Sequence, residues 1–197
     1  MKNYNHPLKG SSITVDPIRD PKDIQRIKKL LSDKPRDLAI FILGINTNLR
    51  ASDIVKLTVG QVRHLKEGDH FRLKEQKTGK GRCVSVGPKV LQALQDVLAT
   101  IPEAQDHEPI FQSRKGGGPL TVPYINHLVK SWCAHFRIPG NFGSHTLRKT
   151  FGYQHRVANN RSIPVLMKMF NRSTQQQTLA YLGIQDEEIK AVYMQEI

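Results

Sequence analysis

The stretch LAIFILGINTNLRASD, residues 38–53, decides the fold of this chain. Its first six residues are apolar on every side of a helix, which predicts a buried helix over residues 35–47. A short helix is predicted to follow at residues 52–57. Arg50 lies in the polar corner between these two helices, and a guanidinium held between apolar segments needs an anionic partner. Asp53, three residues further on, is the local candidate for that partner.

Elements on both sides of this stretch are predicted from hydrophobic periodicity and turn signals. Apolar residues alternate in the segments 70–75 and 82–86, which predicts two strands joined by a cationic turn that contains glycine. Asp20 and Pro21 form an N-cap and a first-turn proline, so a helix is predicted from there to about residue 33. The other predicted helices span residues 88–100, 121–136, 145–158, 162–170, 174–182 and about 185–195. The predicted fold class is α+β, mainly helical, with a small antiparallel β-sheet.

The length and composition are those of a soluble globular protein. The chain has 197 residues, enough for one domain with short appendages. Residues 1–19 are predicted to form an N-terminal arm, residues 20–182 the folded domain, and residues 183–197 a tail helix. No apolar run approaches the roughly 18 residues of a membrane span. The first ten residues also lack the apolar segment of a secretion signal.

Neither a metal site nor a disulfide scaffold is predicted. Cys83 and Cys133 lie far apart and neither belongs to a CxxC pair. The histidines, among them His127, His135 and His155, do not have the spacing of metal ligands. We therefore expect no metal and no cofactor.

The net charge points to a polyanionic partner. Thirty basic and 17 acidic side chains leave a formal charge of +13. Such an excess attracts nucleic acid, although a basic surface that is merely solvated is the alternative. The charge is uneven, because residues 175–197 carry a balance of −3. An acidic end on a basic body predicts that the tail docks on protein and not on a phosphate backbone.

Residues 144–148 carry a candidate phosphate site. His145 and Arg148 are three residues apart, with Ser144 as the expected N-cap, so both side chains lie on one face of a helix's first turns. The positive end of a helix favours a bound phosphate there. The HxxR pattern is common by chance, and ordinary surface residues are the alternative.

Three further places hold polar residues that packing does not explain. Arg50 is one of them, with a structural pair to Asp53 as the alternative. Lys77 lies on the predicted hairpin turn, from which its ammonium can reach a neighbouring groove. The phosphate-loop pattern GxxxxGK[ST] is absent from this turn, which excludes a nucleotide-binding loop. Arg172 precedes Tyr181 by nine residues, and an aromatic side chain in the core is the alternative for Tyr181.

Taken together, these places resemble the catalytic region of the tyrosine recombinases, the phage integrase family. Arginine, lysine, histidine, arginine and a late tyrosine occur in the order typical of that family. The resemblance covers about residues 21–182, most of the chain. It is carried by five segments: TNLRASDIVKLTVGQV at 47–62, KTGKGRCVSVG at 77–87, IFQSRKGGGPLT at 110–121, SHTLRKTF at 144–151, and MFNRST with TLAY at 169–181.

The resemblance implies a site-specific recombinase that cleaves and rejoins DNA through a 3′-phosphotyrosyl intermediate without metal or ATP. Arg50 and Arg148 resemble the two clamp arginines, and Asp53 resembles the acidic residue that braces the first. Tyr181 resembles the nucleophile. The implied catalytic set is Arg50, Lys77, His145, Arg148, Arg172 and Tyr181, and the residues expected to add DNA contacts are Lys80, Arg82, Arg114, Lys115 and Lys149.

Two features depart from the family pattern. The family's second box usually reads LGH or ends in tryptophan, whereas this chain has Phe170-Asn171-Arg172, and an arginine can still donate hydrogen bonds to a phosphate. Most relatives also carry an N-terminal core-binding domain, while about 20 residues precede the catalytic region here. The chain is therefore interpreted either as a naturally short member or as a catalytic fragment.

The resemblance also implies partners and a location. Double-stranded DNA is the expected substrate, in a tetramer held together through the C-terminal tail; a tail folded back on its own domain is the alternative. A bacterial or phage-encoded cytoplasmic protein at the nucleoid is expected, with no membrane partner. The functional alternatives are a relative of the type IB topoisomerases that relaxes DNA and an inactive DNA-binding descendant.

Overall fold

The fold consists of a buried central helix that is surrounded by a β-hairpin and further helices. The computed structural model describes residues 14–75, 79, 81–114, 116–183 and 193–194. The elements in these ranges are α1 (Pro21–Leu30), α2 (Pro35–Asn46), α3 (Ala51–Ile54), α4 (Val59–Val62), β1 (His70–Lys74), β2 (Gly81–Ser85), α5 (Pro88–Leu98), α6 (Val122–His135), α7 (Thr146–Val157), α8 (Ile163–Phe170) and α9 (Gln175–Leu182).

The predicted fold class is confirmed, and the predicted elements within the described ranges lie within three residues of the observed ones. Sequence periodicity missed α4, a single turn whose signal is a capping box formed by Thr58 and Gln61. Helix α1 ends at Leu30, earlier than predicted, and residues 31–33 form a turn before α2. The helix predicted at about residues 185–195 lies outside the described residues apart from residues 193 and 194.

Helix α2 is the centre of the core. Residues 39–44 are all buried, because this apolar stretch contacts α5 on one side and α7 on another. Phe41 packs edge-on against Trp132 of α6, with ring centroids 5.7 Å apart. At Gly44 a β-carbon would lie 2.5 Å from Leu147 of α7, so only glycine permits this close approach. The contact sets the position of α7, which carries Arg148.

A second, smaller apolar cluster positions the C-terminal helices. It comprises Phe151 and Tyr153 of α7, Leu166 and Phe170 of α8, and Leu182 of α9. Gly152 lies against this cluster, where a β-carbon would come within 2.7 Å of Phe170. This packing holds α9 against α7.

The hairpin is a two-stranded antiparallel sheet. Strands β1 and β2 pair in the register from His70 opposite Ser85 to Lys74 opposite Gly81. Phe71 and Val84 are buried beneath it, which attaches the hairpin to the main core. None of the helices in the described part of the chain is long and apolar enough to cross a membrane.

Candidate active site

The corner between α2 and α3 holds Arg50 in a fixed position. Asn48 adopts a left-handed backbone conformation with φ of 55°, and its Nδ2 donates a hydrogen bond to the carbonyl of Met169 at 2.7 Å. This turn allows Arg50 to cap α3. Asp53 accepts a hydrogen bond from the Arg50 backbone N–H at 3.4 Å, while its carboxylate is 3.9 Å from the guanidinium. Asp53 thus braces the backbone of Arg50 more closely than its side chain.

The nearer partner of the Arg50 guanidinium is Glu75, a residue that sequence reasoning missed. Arg50 Nη1 lies 2.8 Å from Glu75 Oε2 in an ion pair. Glu75 is only 4% exposed. The sequence contained an indication of this pair. Phe71, Leu73 and Glu75 occupy every second position and therefore lie on the same face of the strand. A carboxylate on an otherwise apolar face indicates a buried ion pair.

Arg148 projects from α7 as a buried cation. It is 4% exposed, and its Nη1 has no hydrogen-bond partner among the residues that the structure describes. Burial lowers the pKa of Arg148 to about 10, an effect that a Tyr181 phenolate opposes and Arg50 reinforces. The side chain remains charged at neutral pH. A buried guanidinium nitrogen without a protein partner is suited to bind an anion.

His145 lies immediately before the first residue of α7. The prediction of Ser144 as the N-cap is wrong, because the N-cap is His145. The Ser144 N–H donates to Asn126 Oδ1 at 3.0 Å, and the Gly143 N–H donates to the Thr146 hydroxyl at 3.0 Å, so the loop is held in place before the helix begins. His145 is exposed beside the buried Arg148.

Tyr181 lies on α9 next to two cations. The Arg172 guanidinium carbon is 4.2 Å from the centroid of the Tyr181 ring, and the ammonium of Lys149 is 5.2 Å from it. Phe170 packs against the same ring with centroids 5.4 Å apart. Burial raises the pKa of Tyr181 above its usual value, while the nearby Arg148 and other arginines act in the opposite direction.

Arg172 follows the turn that ends α8. Asn171 takes a left-handed conformation with φ of 54°, which reverses the chain after Phe170. Arg172 Nη1 then donates to the carbonyl of Gln177 at 3.3 Å, which fixes the guanidinium over the Tyr181 ring.

A cavity of about 670 Å³ brings most of the predicted catalytic residues together. Its walls come from the α2–α3 corner, the start of α7, the turn after α8, and α9. The predicted residues that line it are Arg50, His145, Arg148, Arg172 and Tyr181. Lys77 lies outside the described residues, as do Lys80 and Lys115.

The structure places the other predicted DNA-contact residues in different environments. Arg114 is exposed on the loop before α6. Arg82 is turned inward, where Nη1 donates to Glu75 Oε1 at 3.0 Å and Nη2 donates to the carbonyls of Thr47 and Met169 at 3.4 Å. Lys149 is 5% exposed, and burial lowers its pKa. Over the described ranges, no group of three or more His, Cys, Asp or Glu side chains is arranged to hold a metal ion.

Relatives of this chain are recognisable by sequence. The model of the phage integrase family matches residues 19–188. The chain is 33% identical over 181 residues to the probable integrase/recombinase YoeC of Bacillus subtilis, covering 91% of this chain and 95% of that protein. It is 25% identical to the tyrosine recombinase XerC of Caldanaerobacter subterraneus, covering 96% of this chain and 54% of that protein. The chain therefore spans nearly all of one relative and about half of the other.

Solved structures share the fold. The XerA recombinase superposes with a TM-score of 0.74 at 18% identity, over 93% of this chain and 65% of that one. The XerH site-specific recombinase, bound to a palindromic difH substrate, superposes with a TM-score of 0.70 at 17% identity, over 98% of this chain and 57% of that one. With the family match over most of its length and a relative at 33% identity, this chain belongs to the phage integrase family, the tyrosine recombinases.

Proposed function

We propose that this protein is a site-specific DNA recombinase that cleaves and rejoins strands through a covalent bond between Tyr181 and a 3′-phosphate. One observation carries the proposal: a single cavity holds Arg50, Arg148, Arg172 and His145 together with Tyr181. Three fixed guanidiniums around one phenol form a site for a phosphodiester next to a nucleophile.

The arginines would stabilise the transition state. A phosphodiester resists attack because its negative charge repels a nucleophile, and guanidiniums with paired donors match the phosphate oxygens on which that charge grows. The Arg148 Nη1 atom, which has no partner among the described residues, is available for one such oxygen. Loss of one donor of this kind costs about 3 kcal/mol, which corresponds to roughly a hundredfold in rate.

The nucleophile would need a base. Because burial raises the pKa of Tyr181, the phenol carries its proton at neutral pH. We assign the removal of that proton to His145, which lines the same cavity. The tyrosine oxygen forms a bond to phosphorus, the bond from phosphorus to the 5′-oxygen breaks, and the resemblance assigns protonation of that oxygen to Lys77. The phosphotyrosyl bond conserves the phosphodiester energy, so a 5′-hydroxyl can rejoin without ATP.

The basic surface would hold the rest of the DNA. Arg114 is exposed, and we propose that it contacts the phosphate backbone together with Lys80 and Lys115. The acidic balance of residues 175–197 supports a tail that docks on a neighbouring copy in a tetramer on DNA. Since YoeC and XerC are bacterial proteins, we place the reaction at the DNA of the bacterial nucleoid.

The inward positions of Arg82 and Lys149 favour other roles for these two residues. Arg82 lies in an ion pair with Glu75, and Lys149 lies beside the Tyr181 ring. We propose that both act on the geometry and charge of the active site, and that direct backbone contacts come from exposed cations.

Covalent trapping on DNA tests this function. Purified protein is mixed with fragments of its source genome, without metal or ATP, then denatured and searched for protein-linked DNA. Wild type should give adducts and Tyr181→Phe none, while both bind DNA equally. Tyr124→Phe, which alters an exposed tyrosine outside the cavity, is the matched control and should retain the adducts. Tight binding with no adduct in wild type would support an inactive DNA-binding relative.

A further inference from the structure

We propose that Glu75 is a positioning residue that sets the active geometry of Arg50. The inference deepens the proposed function and rests on it. Glu75 directly follows β1 and does not belong to the catalytic set that the resemblance implies.

The carboxylate of Glu75 bridges two arginines from different parts of the chain. Oε2 lies 2.8 Å from Nη1 of Arg50, and Oε1 lies 3.0 Å from Nη1 of Arg82. Each oxygen therefore has its own cation, and the Glu75 side chain is 5% exposed. Such a pair of buried contacts is weakly screened by solvent and sensitive to the exact length of the acidic side chain.

The second arginine anchors the bridge to two other elements. Arg82 Nη2 donates to the carbonyl of Thr47 at the end of α2 and to that of Met169 near the end of α8, both at 3.4 Å. The same Met169 carbonyl accepts the 2.7 Å hydrogen bond from Asn48. The network thus joins the hairpin, the α2–α3 corner and the segment that leads to Arg172.

Glu75 stands behind the cavity and does not line it. Arg50 borders the 670 Å³ cavity, whereas Glu75 and Arg82 border a separate cavity of about 540 Å³. A carboxylate in the first cavity would repel a phosphate. From its actual position it can hold Arg50 without meeting the substrate, which makes its role one of positioning.

The charges around the site explain why a carboxylate is needed. Beyond the dominant effect of burial, Arg50 and Arg82 lower the pKa of Arg148 and Glu75 raises it. Three cations, two of which border the phosphate site, therefore repel one another. Without the charge of Glu75, the carboxylate that remains in an ion pair with the Arg50 guanidinium, among the described residues, is that of Asp53 at 3.9 Å. Arg50 would then no longer be held in one orientation before DNA binds.

The test compares Glu75→Gln with wild type in a single-turnover cleavage assay on the DNA recovered by covalent trapping. At saturating DNA, the rate of adduct formation should fall about 10- to 100-fold, by analogy with the residues that orient metal-binding side chains in other proteins. DNA affinity should be unchanged or tighter, because a negative charge has been removed. Glu103→Gln, at an exposed position, makes the same charge change and should match wild type. Glu75→Asp, which restores the charge on a shorter chain, should recover part of the rate.

A neutral substrate separates positioning from general structural damage. A methylphosphonate at the cleaved position lacks the charge that Arg50 neutralises, so the deficit of Glu75→Gln should shrink for at least one of the two diastereomers. An equal deficit on both substrates would overturn the proposal, as would a Glu75→Gln rate equal to that of Glu103→Gln. If Glu75→Gln does not fold, the same comparison is made with Glu75→Asp, whose deficit on the charged substrate should again exceed that on the neutral one.

Absence of a Tyr181-dependent adduct in wild type would overturn the proposed function, and this inference with it. An active wild type with an unaffected Glu75→Gln variant would overturn the inference alone.

Discussion

Replacement of Arg148 by methionine should strongly reduce cleavage while making the folded protein more stable. The guanidinium is 4% exposed and its Nη1 has no partner among the described residues. Burial lowers the pKa of this group from its usual value to about 10. A fall of that size corresponds to about 3 kcal/mol by which folding disfavours the charged form. The charge remains at pH 7, so the folded protein carries this cost.

Methionine removes the cost and keeps an apolar chain in the same space. It forfeits the contact between the guanidinium and the Phe170 ring, 5.2 Å apart, which is worth about 1 kcal/mol. The free energy of unfolding should therefore rise by about 1–2 kcal/mol. Cleavage should fall at least about a hundredfold, because one donor to the developing charge is lost.

Urea unfolding at pH 7 measures the first effect and covalent trapping the second. Arg36→Met is the matched control, because Arg36 is already paired with Asp37 at 3.1 Å and lies outside the cavity. That variant should lose stability and keep cleavage. If Arg148→Met unfolds at a lower urea concentration than wild type, the reasoning is refuted. The buried charge of Arg148 would then not destabilise the fold in the absence of a bound phosphate.

Two further predictions concern the neighbourhood of Tyr181. Gly152→Ala should lower the free energy of unfolding by about 1–3 kcal/mol, because the new β-carbon would lie 2.7 Å from Phe170. Urea unfolding measures this change. A free energy of unfolding equal to that of wild type would contradict the close packing at Gly152. Burial raises the pKa of Tyr181 above that of free tyrosine. The midpoint of the ultraviolet ionisation difference between wild type and Tyr181→Phe should therefore lie at a higher pH than that of free tyrosine, and a midpoint at or below it would contradict the burial.

Patterns with a strong local cause were predictable. The all-apolar run in α2 required a buried helix, and Asp20 with Pro21 marked the start of α1, where Asp20 accepts a hydrogen bond from the Lys22 N–H at 2.7 Å. The hairpin followed from alternation. The gathering of Arg50, His145, Arg148, Arg172 and Tyr181 in one cavity was implied by the resemblance to the tyrosine recombinases and not by any local pattern.

Long-range pairing was not predictable. Glu75 forms an ion pair with Arg50, 25 positions earlier in the chain, whereas the sequence predicted only the neighbouring Asp53 as its partner. The inward placements of Arg82 and Lys149 were missed for the same reason. From sequence alone, Arg82 near two glycines and Lys149 near the start of a helix have the pattern of exposed residues. Their inward placement depends on the packing of α7, α8 and α9.

The most direct test of the central claim is to identify the amino acid that carries the DNA. Adducts formed by wild type are digested with protease and nuclease, and the peptide bearing a nucleotide is sequenced by mass spectrometry. The account predicts a nucleotide joined through its 3′-phosphate to Tyr181, with a free 5′-hydroxyl on the other DNA end. A nucleotide on any other residue, or a 5′-phosphate linkage, would contradict it.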